Sequence, residues 1–207
     1  MTVWRKRIYL GVKRLQDILL SALALVVLSP ALALIALAVV IDDPHGGPVF
    51  IQKRCGRGGR EFRLYKFRTM YVGAEKRLRE LLPYNEMAGP AFKMRNDPRI
   101  TRLGHLLRAT GLDELPQLVN VLKGDMSIVG PRPPLPREAA RYTPYQRQRL
   151  DIKPGLTCFW QVHPARNSLN FDSWVALDLR YIKEQCWSLD WKLIFLTVRA
   201  VVRREGL

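Results

Sequence analysis

An apolar run dominates the first quarter of the chain. Residues 18–41 read ILLSALALVVLSPALALIALAVVI, and only Ser21, Ser29 and Pro30 interrupt the apolar side chains. A run of this length can cross a bilayer as a helix, at a rise of ~1.5 Å per residue. The alternatives are the core helix of a soluble protein and a cleaved signal peptide, and the run is too long for the latter. Pro30 deletes one helix hydrogen bond, so the pattern predicts a break at Ser29–Pro30.

Basic residues lie on both sides of this run, in WRKRIYLGVKRLQD before it and in QKRCGRGGREFR after it. Cytoplasmic flanks of membrane segments collect Lys and Arg. The sequence therefore favours a re-entrant hairpin that enters from the cytoplasm, turns at Ser29–Pro30 and returns to the same side; a kinked single span is the alternative. The stretch before the run is predicted to lie at the membrane interface, with Trp4 and Tyr9 at headgroup depth.

The remaining chain alternates between short strand-like and helix-like patterns. Residues 47–70 predict two strands around a Gly-rich turn, and no Gly-Lys-Ser/Thr follows that would indicate a phosphate loop. Apolar periodicity with Gly and Pro boundaries predicts helices over 73–82, 97–111, 115–124 and about 138–150, then two more helices broken near Ser188.

Together these patterns predict an α+β fold. The expected architecture is that of a mostly helical monotopic membrane protein with an N-terminal re-entrant hairpin, a short β-hairpin and amphipathic interfacial helices. The predicted division is a membrane unit, residues 1–46, followed by a cytoplasmic domain, residues 47–207.

Charge narrows the class of partner. The net charge is +16, and the isoelectric point is about 10.3. Such a chain is expected to bind nucleic acid, an anionic membrane or phosphorylated substrates. The three cysteines, Cys55, Cys158 and Cys186, are far apart and show no metal-ligand spacing. They therefore predict reduced thiols in a cytoplasmic setting.

Two adjacent acids, Asp113 and Glu114, precede a predicted helix that begins at Pro116 and ends at Gly124. The helix dipole and the nearby Arg108 favour ionised carboxylates there. One interpretation is that the acids only complement the dipole. The other is chemical, because a carboxylate can attack phosphorus to form an acyl phosphate, and Mg²⁺ bound with phosphates needs only one or two protein carboxylates.

Three segments decide between these interpretations: KFRTM, NDPRITRLGHLLRATGLDELPQLVNVLKGDMSIVGPRP and KPGLTCFWQV. In their order and spacing they resemble the bacterial sugar transferase family, the monotopic phosphoglycosyl transferases, and the likeness covers nearly the whole chain. It implies transfer of a hexose-1-phosphate from a UDP-sugar to undecaprenyl phosphate with release of UMP. That reaction is the first membrane step of exopolysaccharide, capsule, O-antigen or glycoprotein glycan assembly, on the cytoplasmic face of the bacterial inner membrane.

The resemblance also implies residue roles. Asp113 is similar to the family's nucleophile, Glu114 to the ligand of its Mg²⁺, and Arg108 to a basic residue of the catalytic site, while Ser29–Pro30 match the break of the re-entrant helix. The positions implied for substrate binding are Lys66, Arg68, Arg132, Gln161 and Arg166. Lys66 and Arg68 have a simpler alternative as solvated charges on a strand.

Two departures affect the predicted specificity. Cys158 replaces a glycine usual in the family, and Ala165 precedes Arg166 in a loop expected to face the sugar. Galactose and glucose are the expected sugars, ahead of N-acetylated ones. Some relatives carry further membrane helices and another domain before this module, so the chain is expected to be the bare catalytic unit.

The predicted partners are the UDP-sugar, undecaprenyl phosphate and the anionic phospholipid membrane, with no nucleic acid. Other glycan-assembly enzymes are further candidates. Two rival hypotheses stay open at this point: a non-catalytic basic membrane adaptor, and the same transfer by direct attack without a covalent intermediate.

Overall fold

The computed structural model describes residues 3–164 and 168–202, and in these ranges helices and short strands alternate. The helices are α1 (Val3–Val27), α2 (Ser29–Asp42), α3 (Leu78–Leu81), α4 (Arg102–Thr110), α5 (Gln117–Lys123), α6 (Pro136–Ala139), α7 (Pro144–Arg147), α8 (Phe171–Glu184) and α9 (Trp187–Val202). The strands are β1 (Val49–Cys55), β2 (Glu61–Phe67), β3 (Ser127–Val129) and β4 (Gly155–Thr157). The predicted α+β class is confirmed.

The N-terminal helices meet at a bend where the break was predicted. The segment Lys6–Val27 and α2 are inclined by 64°, with Leu28 between α1 and α2. The Ser29 hydroxyl donates a hydrogen bond to the Val26 carbonyl at 2.8 Å. Val26 lies four residues before Pro30, so this side chain satisfies the carbonyl that the missing amide hydrogen of Pro30 leaves free. Among the described residues no single helix has both the length and the apolar composition of a membrane span, whereas this bent pair has them jointly.

The predicted β-hairpin is confirmed. β1 and β2 are antiparallel, with Phe50 opposite Lys66 and Gln52 opposite Leu64. Val49 and Ile51 are exposed, at 42% and 53%, and the other face buries Leu64 against Val121 of α5 and Met126. The face of the hairpin that is turned to the interior therefore carries polar as well as apolar residues, and Lys66 lies on this face.

A second sheet has no counterpart in the predictions. β3 and β4 pair in parallel, with Ser127 opposite Gly155 and Val129 opposite Thr157. Three-residue strands are too short for alternation to reveal them. The pairing continues as a hydrogen bond from the Gly130 amide to the Thr157 carbonyl at 2.9 Å, so it fixes the chain just before Arg132.

Several helix predictions need correction. The prediction of a helix over 73–82 is wrong except for the four residues of α3. The charged residues before Leu78 form turns instead, because they bury too little apolar surface to stabilise a helix. The start at 97–98 is wrong as well. Asp97 is held in a buried ion pair with Arg99 at 2.6 Å, and Thr101 caps α4 instead by accepting from the Gly104 amide.

The helix over 138–150 is also wrong. Pro136 starts α6 and Pro144 starts α7, and a 3-10 turn over Gln148–Leu150 follows, because a proline suits the first turn of a helix but not its interior. The predicted ends at Gly111 and Gly124 are confirmed. So is the pair of C-terminal helices, which separate at residues 185–186, close to Ser188.

α1 lies against the rest of the fold and buries polar as well as apolar side chains. It packs along α5 and touches β3. α2 packs on α4, and Val39 of α2, Leu107 of α4 and Phe67 of β2 form one buried cluster. A further core joins α8 to residues near Met87. The domain boundary at 46/47 stays a prediction.

Candidate active site

The acid pair lies in a 3-10 turn that joins α4 to α5. Gly111 ends α4 at a φ of +72°, a conformation that glycine adopts without strain, and the turn Leu112–Glu114 follows at once. Pro116 is the N-cap residue of α5 rather than its first helical residue. The prediction that both acids precede α5 is confirmed, with a separate turn to hold them.

Asp113 is a buried carboxylate that has no hydrogen-bond partner among residues 3–164 and 168–202. Its exposed fraction is 8%. Within the described part of the chain, no group donates a hydrogen bond to its side chain or forms an ion pair with it. Burial, aided by the charge of Glu114, raises the pKa of Asp113 to about 6, and the cations Lys66 and Arg108 oppose that rise. The carboxylate is therefore ionised near neutral pH and open to reaction.

Glu114 points away from its neighbour. Its Oε1 accepts a hydrogen bond from Arg132 Nη1 at 3.0 Å, in a half-buried ion pair. The Arg132 guanidinium also lies over the Trp160 ring, 6.0 Å from the centroid. The two acids therefore differ in their surroundings: Asp113 is buried, and Glu114 pairs with the basic residue of GPRP.

Two further cations flank Asp113. Arg108 comes from α4, where its Nε donates to the Thr69 hydroxyl at 2.9 Å. α4 can approach Thr69 because Gly104 has no side chain; a Cβ there would lie 2.2 Å from the Thr69 carbonyl oxygen. Lys66 comes from β2, and burial, with repulsion from Arg108, lowers its pKa to about 8. The two carboxylates therefore lie in a positive field.

A cleft opens beside this group. Lys66, Glu114, Arg132 and Gln161 line it, so four of the predicted site residues meet there. Among the lining residues that were not predicted, two have polar side chains, Arg54 and Gln117. Arg54 Nη1 donates to the Pro133 carbonyl at 2.9 Å and so holds the segment after Arg132. The alternation of β1 could have revealed Arg54, since it shares a face with Phe50 and hence with Lys66.

Two of the predicted binding residues are not placed at the cleft. The buried Arg68 guanidinium forms an ion pair with Asp43 and donates to the carbonyls of Gly46 and Gly47, both at 2.8 Å. It ties the loop after α2 to the end of the hairpin. Arg166 lies outside the described residues. Substrate binding by Arg68 and Arg166 stays a prediction.

The donor set fits a divalent cation that is shared with phosphates. No group of three or more His, Cys, Asp or Glu side chains able to hold a metal occurs in residues 3–164 and 168–202. Asp113 and Glu114 are nevertheless adjacent, and within those residues Glu114 Oε2 accepts no hydrogen bond. Mg²⁺ in phosphate-transfer sites commonly takes one or two carboxylates and completes its shell with phosphate oxygens and water.

With this geometry in place, comparison with known proteins identifies the class. A model described as bacterial sugar transferase matches residues 8–204, so the chain belongs to the bacterial sugar transferase family.

Three relatives illustrate the match. The galactosyl transferase CpsE of Streptococcus agalactiae serotype III is 50% identical over 78% of the chain. The undecaprenyl-phosphate galactose phosphotransferase of Salmonella typhimurium and the UDP-galactose-lipid carrier transferase of Erwinia amylovora are 43% and 40% identical over 94% of it. The chain spans 36% of the length of the first relative and 41% of the length of each of the others.

Proposed function

We propose that this protein transfers a hexose-1-phosphate from a UDP-hexose to undecaprenyl phosphate and releases UMP. The observation that carries the proposal is Asp113, a buried carboxylate with no bonded partner in the described chain, next to Glu114 and three cations. The names of the Salmonella and Erwinia relatives, which include undecaprenyl phosphate, UDP-galactose and lipid carrier, support the substrates. Galactose is the first candidate sugar, and glucose the second.

The proposed reaction has two steps. A carboxylate oxygen of Asp113 attacks the phosphorus that bears the sugar and forms a P–O bond, while the bond from that phosphorus to the oxygen that bridges the two phosphates breaks, and this oxygen leaves with the electron pair as part of UMP. An oxygen of undecaprenyl phosphate then attacks the same phosphorus and displaces the Asp113 carboxylate. Splitting one transfer into two steps in this way is covalent catalysis. The raised pKa of Asp113 leaves it ionised yet basic enough to attack.

The surrounding charges have a clear part in this scheme. Arg132, Lys66 and Arg108 would bind and neutralise the diphosphate, because phosphoryl transfer depends mostly on positioning and charge stabilisation. Glu114, with Asp113 beside it, would hold Mg²⁺, which when bound supplies further charge neutralisation to the phosphates. Arg54 keeps the Arg132 segment in place through the Pro133 carbonyl.

We also propose that α1 and α2 form a re-entrant anchor in the cytoplasmic membrane of a bacterium, with the site on the cytoplasmic face. Many large apolar side chains of this pair are exposed, among them Leu19, Leu23, Leu34 and Ile41, and a bilayer would cover them. Single cysteines at residues 5–14 and 57–63 should be labelled from the same side in vesicles. Labelling of the two segments from opposite sides would contradict the re-entrant hairpin and support a kinked single span.

The reaction itself is tested with purified protein in proteoliposomes. UDP-galactose, UDP-glucose and their N-acetylated counterparts are supplied with undecaprenyl phosphate and Mg²⁺, and released UMP is measured. Without the lipid acceptor we expect at most one UMP per protein molecule, from the first step alone, and with the acceptor in excess we expect continued UMP release from UDP-galactose or UDP-glucose. The absence of UMP with every donor would leave the rival hypothesis, a basic membrane adaptor.

The pKa shifts predict a bell-shaped pH profile for kcat/KM. Activity should fall as the pH drops through about 6, because Asp113 becomes protonated and loses its nucleophilic lone pair. It should also fall as the pH rises through about 8, because Lys66 loses its charge. Lys66→Arg should remove the alkaline fall and keep the acid one, since arginine stays charged.

The measurement is UMP release across the pH range, with Lys53→Arg as the matched control. Lys53 is an exposed lysine on β1 that pairs with the exposed Glu61, at 3.3 Å. A wild-type pH profile that is flat near both pH 6 and pH 8 would contradict the assignment of the acid fall to Asp113 and of the alkaline fall to Lys66. A Lys66→Arg profile with the same alkaline fall as the wild type would contradict the assignment to Lys66.

A further inference from the structure

Several polar side chains of α1 are turned into the protein, although the second half of the helix is strongly apolar. The polar face of α1 consists of Tyr9, Lys13, Arg14 and Asp17, and all but Arg14 are buried. Burying charged groups costs free energy unless they are paired or hydrogen-bonded. A helix that served only as an anchor would not need them, so their partners indicate what this face does.

Arg14 holds the end of α5. Its Nη1 donates to the Val121 carbonyl at 2.6 Å, and its Nη2 donates to the Leu122 carbonyl at 2.8 Å. The last carbonyls of a helix have no partner within the helix, so an arginine that satisfies two of them fixes that end. α5 follows the turn of Asp113 and Glu114, so α1 fixes the helix next to the acids.

Asp17 holds β3. Its exposed fraction is 3%, and its Oδ1 accepts a hydrogen bond from the Ile128 amide at 3.0 Å. Ile128 is the middle residue of β3, and the chain reaches Arg132 four residues later. The backbone of β3 is therefore attached to α1 close to the residue that pairs with Glu114.

A buried polar network supports the same strand from its other side. Asp190 of α9 accepts from Lys13 Nζ at 2.7 Å and from the Tyr9 hydroxyl at 2.8 Å. Its other oxygen accepts from the Tyr181 hydroxyl at 2.6 Å, and that hydroxyl lies 3.2 Å from the Val129 carbonyl oxygen. Val129 is thus enclosed by α8 and α9, which α1 holds through Lys13.

We infer that the polar face of α1 positions the active site, and that Asp17 is the positioning residue for Arg132. Arg14 and Asp17 lie three residues apart, about one helical turn, and they hold α5 and β3, the elements next to Glu114 and Arg132. The helix proposed to sit at the membrane interface thereby sets the spacing between the acids and the guanidinium. This inference rests on the proposed function of Arg132 as a ligand of the donor diphosphate.

The first test compares Asp17→Ala with Asp17→Asn in the full chain in proteoliposomes. Asparagine keeps an oxygen that can accept from the Ile128 amide, whereas alanine does not. We expect Asp17→Ala to lower kcat/KM for the UDP-hexose about ten-fold, chiefly through a higher KM, because a small misplacement of a binding group has effects of that order or more. Asp17→Asn should restore most of the loss. Lys6→Met, at an exposed lysine of the same helix, is the control.

The second test is a double-mutant cycle with Arg132→Gln, measured with radiolabelled UDP-hexose. If Asp17 acts through Arg132, adding Asp17→Ala to the Arg132→Gln variant should lower kcat/KM for the UDP-hexose by less than about two-fold. The reason is that the effects of two substitutions are not additive when one residue acts through the other. An equal fold-loss in both backgrounds would overturn the inference, since a merely structural role lowers activity in both. If Asp17→Ala fails to accumulate in the membrane, Asp17→Glu, which shifts the acceptor by one methylene, takes its place.

The cycle also separates the two proposals. If Arg132→Gln by itself leaves the KM for the UDP-hexose unchanged, the function proposed for Arg132 fails, whatever Asp17 does. If Arg132→Gln raises that KM and the cycle is additive, the proposed function stands and the positioning role of Asp17 fails.

Discussion

Asp113→Asn is expected to eliminate sugar-phosphate transfer, with a loss on the order of 10³-fold or more, as for other lost nucleophiles. The amide has nearly the shape of the carboxylate but cannot form the acyl phosphate. Wild-type protein incubated with radiolabelled UDP-hexose and no acceptor should carry a sugar-phosphate on Asp113, detected by mass spectrometry of the intact chain. Asp113→Asn should carry none.

The same variant should be more stable than the wild type. Because the folded-state pKa of Asp113 is raised, stability is lost as the pH rises from the unfolded value of 3.8 through about 6. Removing the charge should therefore raise the unfolding free energy above pH 6 by on the order of 1–3 kcal/mol. Such trade-offs between stability and activity are common at catalytic sites.

The control is Asp151→Asn, at an exposed aspartate outside the cleft. Retention of activity within about ten-fold of wild type by Asp113→Asn would reject Asp113 as the nucleophile, since lost nucleophiles cost far more. An inactive Asp113→Asn combined with no adduct on the wild type would instead support direct attack by the lipid phosphate.

Glu114→Gln is expected to lower kcat/KM by at least about 10²-fold and to raise the Mg²⁺ concentration needed for half-maximal activity. The substitution removes the charge that pairs with Arg132 and replaces an anionic oxygen ligand by a weaker neutral one. The measurement is UMP release during a Mg²⁺ titration. Chelation of Mg²⁺ should abolish the wild-type activity.

The matched control is Glu80→Gln, at an exposed glutamate of α3. An unchanged Mg²⁺ dependence in Glu114→Gln would show that this carboxylate is not the ligand. Wild-type activity that persists after complete chelation would reject the proposed cofactor itself.

The features predicted well from the sequence are those with local causes. The break at Ser29–Pro30 follows from a missing amide hydrogen, and the ends of α4 and α5 at Gly111 and Gly124 follow from the left-handed conformation that glycine accepts. The adjacency of Asp113 and Glu114 is itself a fact of the sequence. Each signal lies within a few residues of the structure it specifies.

The features that were missed depend on residues distant in the chain. The buried ion pair of Arg68 joins it to Asp43, 25 residues away. The amide of Ile128 meets Asp17 across 111 residues, and the Arg54 guanidinium reaches Pro133 across 79. No local pattern encodes such pairs, because several arginines have equal hydrogen-bonding capacity and only packing decides which carbonyl or carboxylate each one meets.

The sequence by itself determined the apolar bent pair, the basic charge, the β-hairpin and the acid pair with the basic residues of its family. Tertiary structure decided that Asp113 is buried with no hydrogen-bond partner among the described residues while Glu114 meets Arg132, and that α1 holds α5 and β3, the elements next to Glu114 and Arg132. The physical reason is that a pKa, an ion pair and a spacing between two elements depend on desolvation and on contacts across the fold, which exist only once the chain has packed.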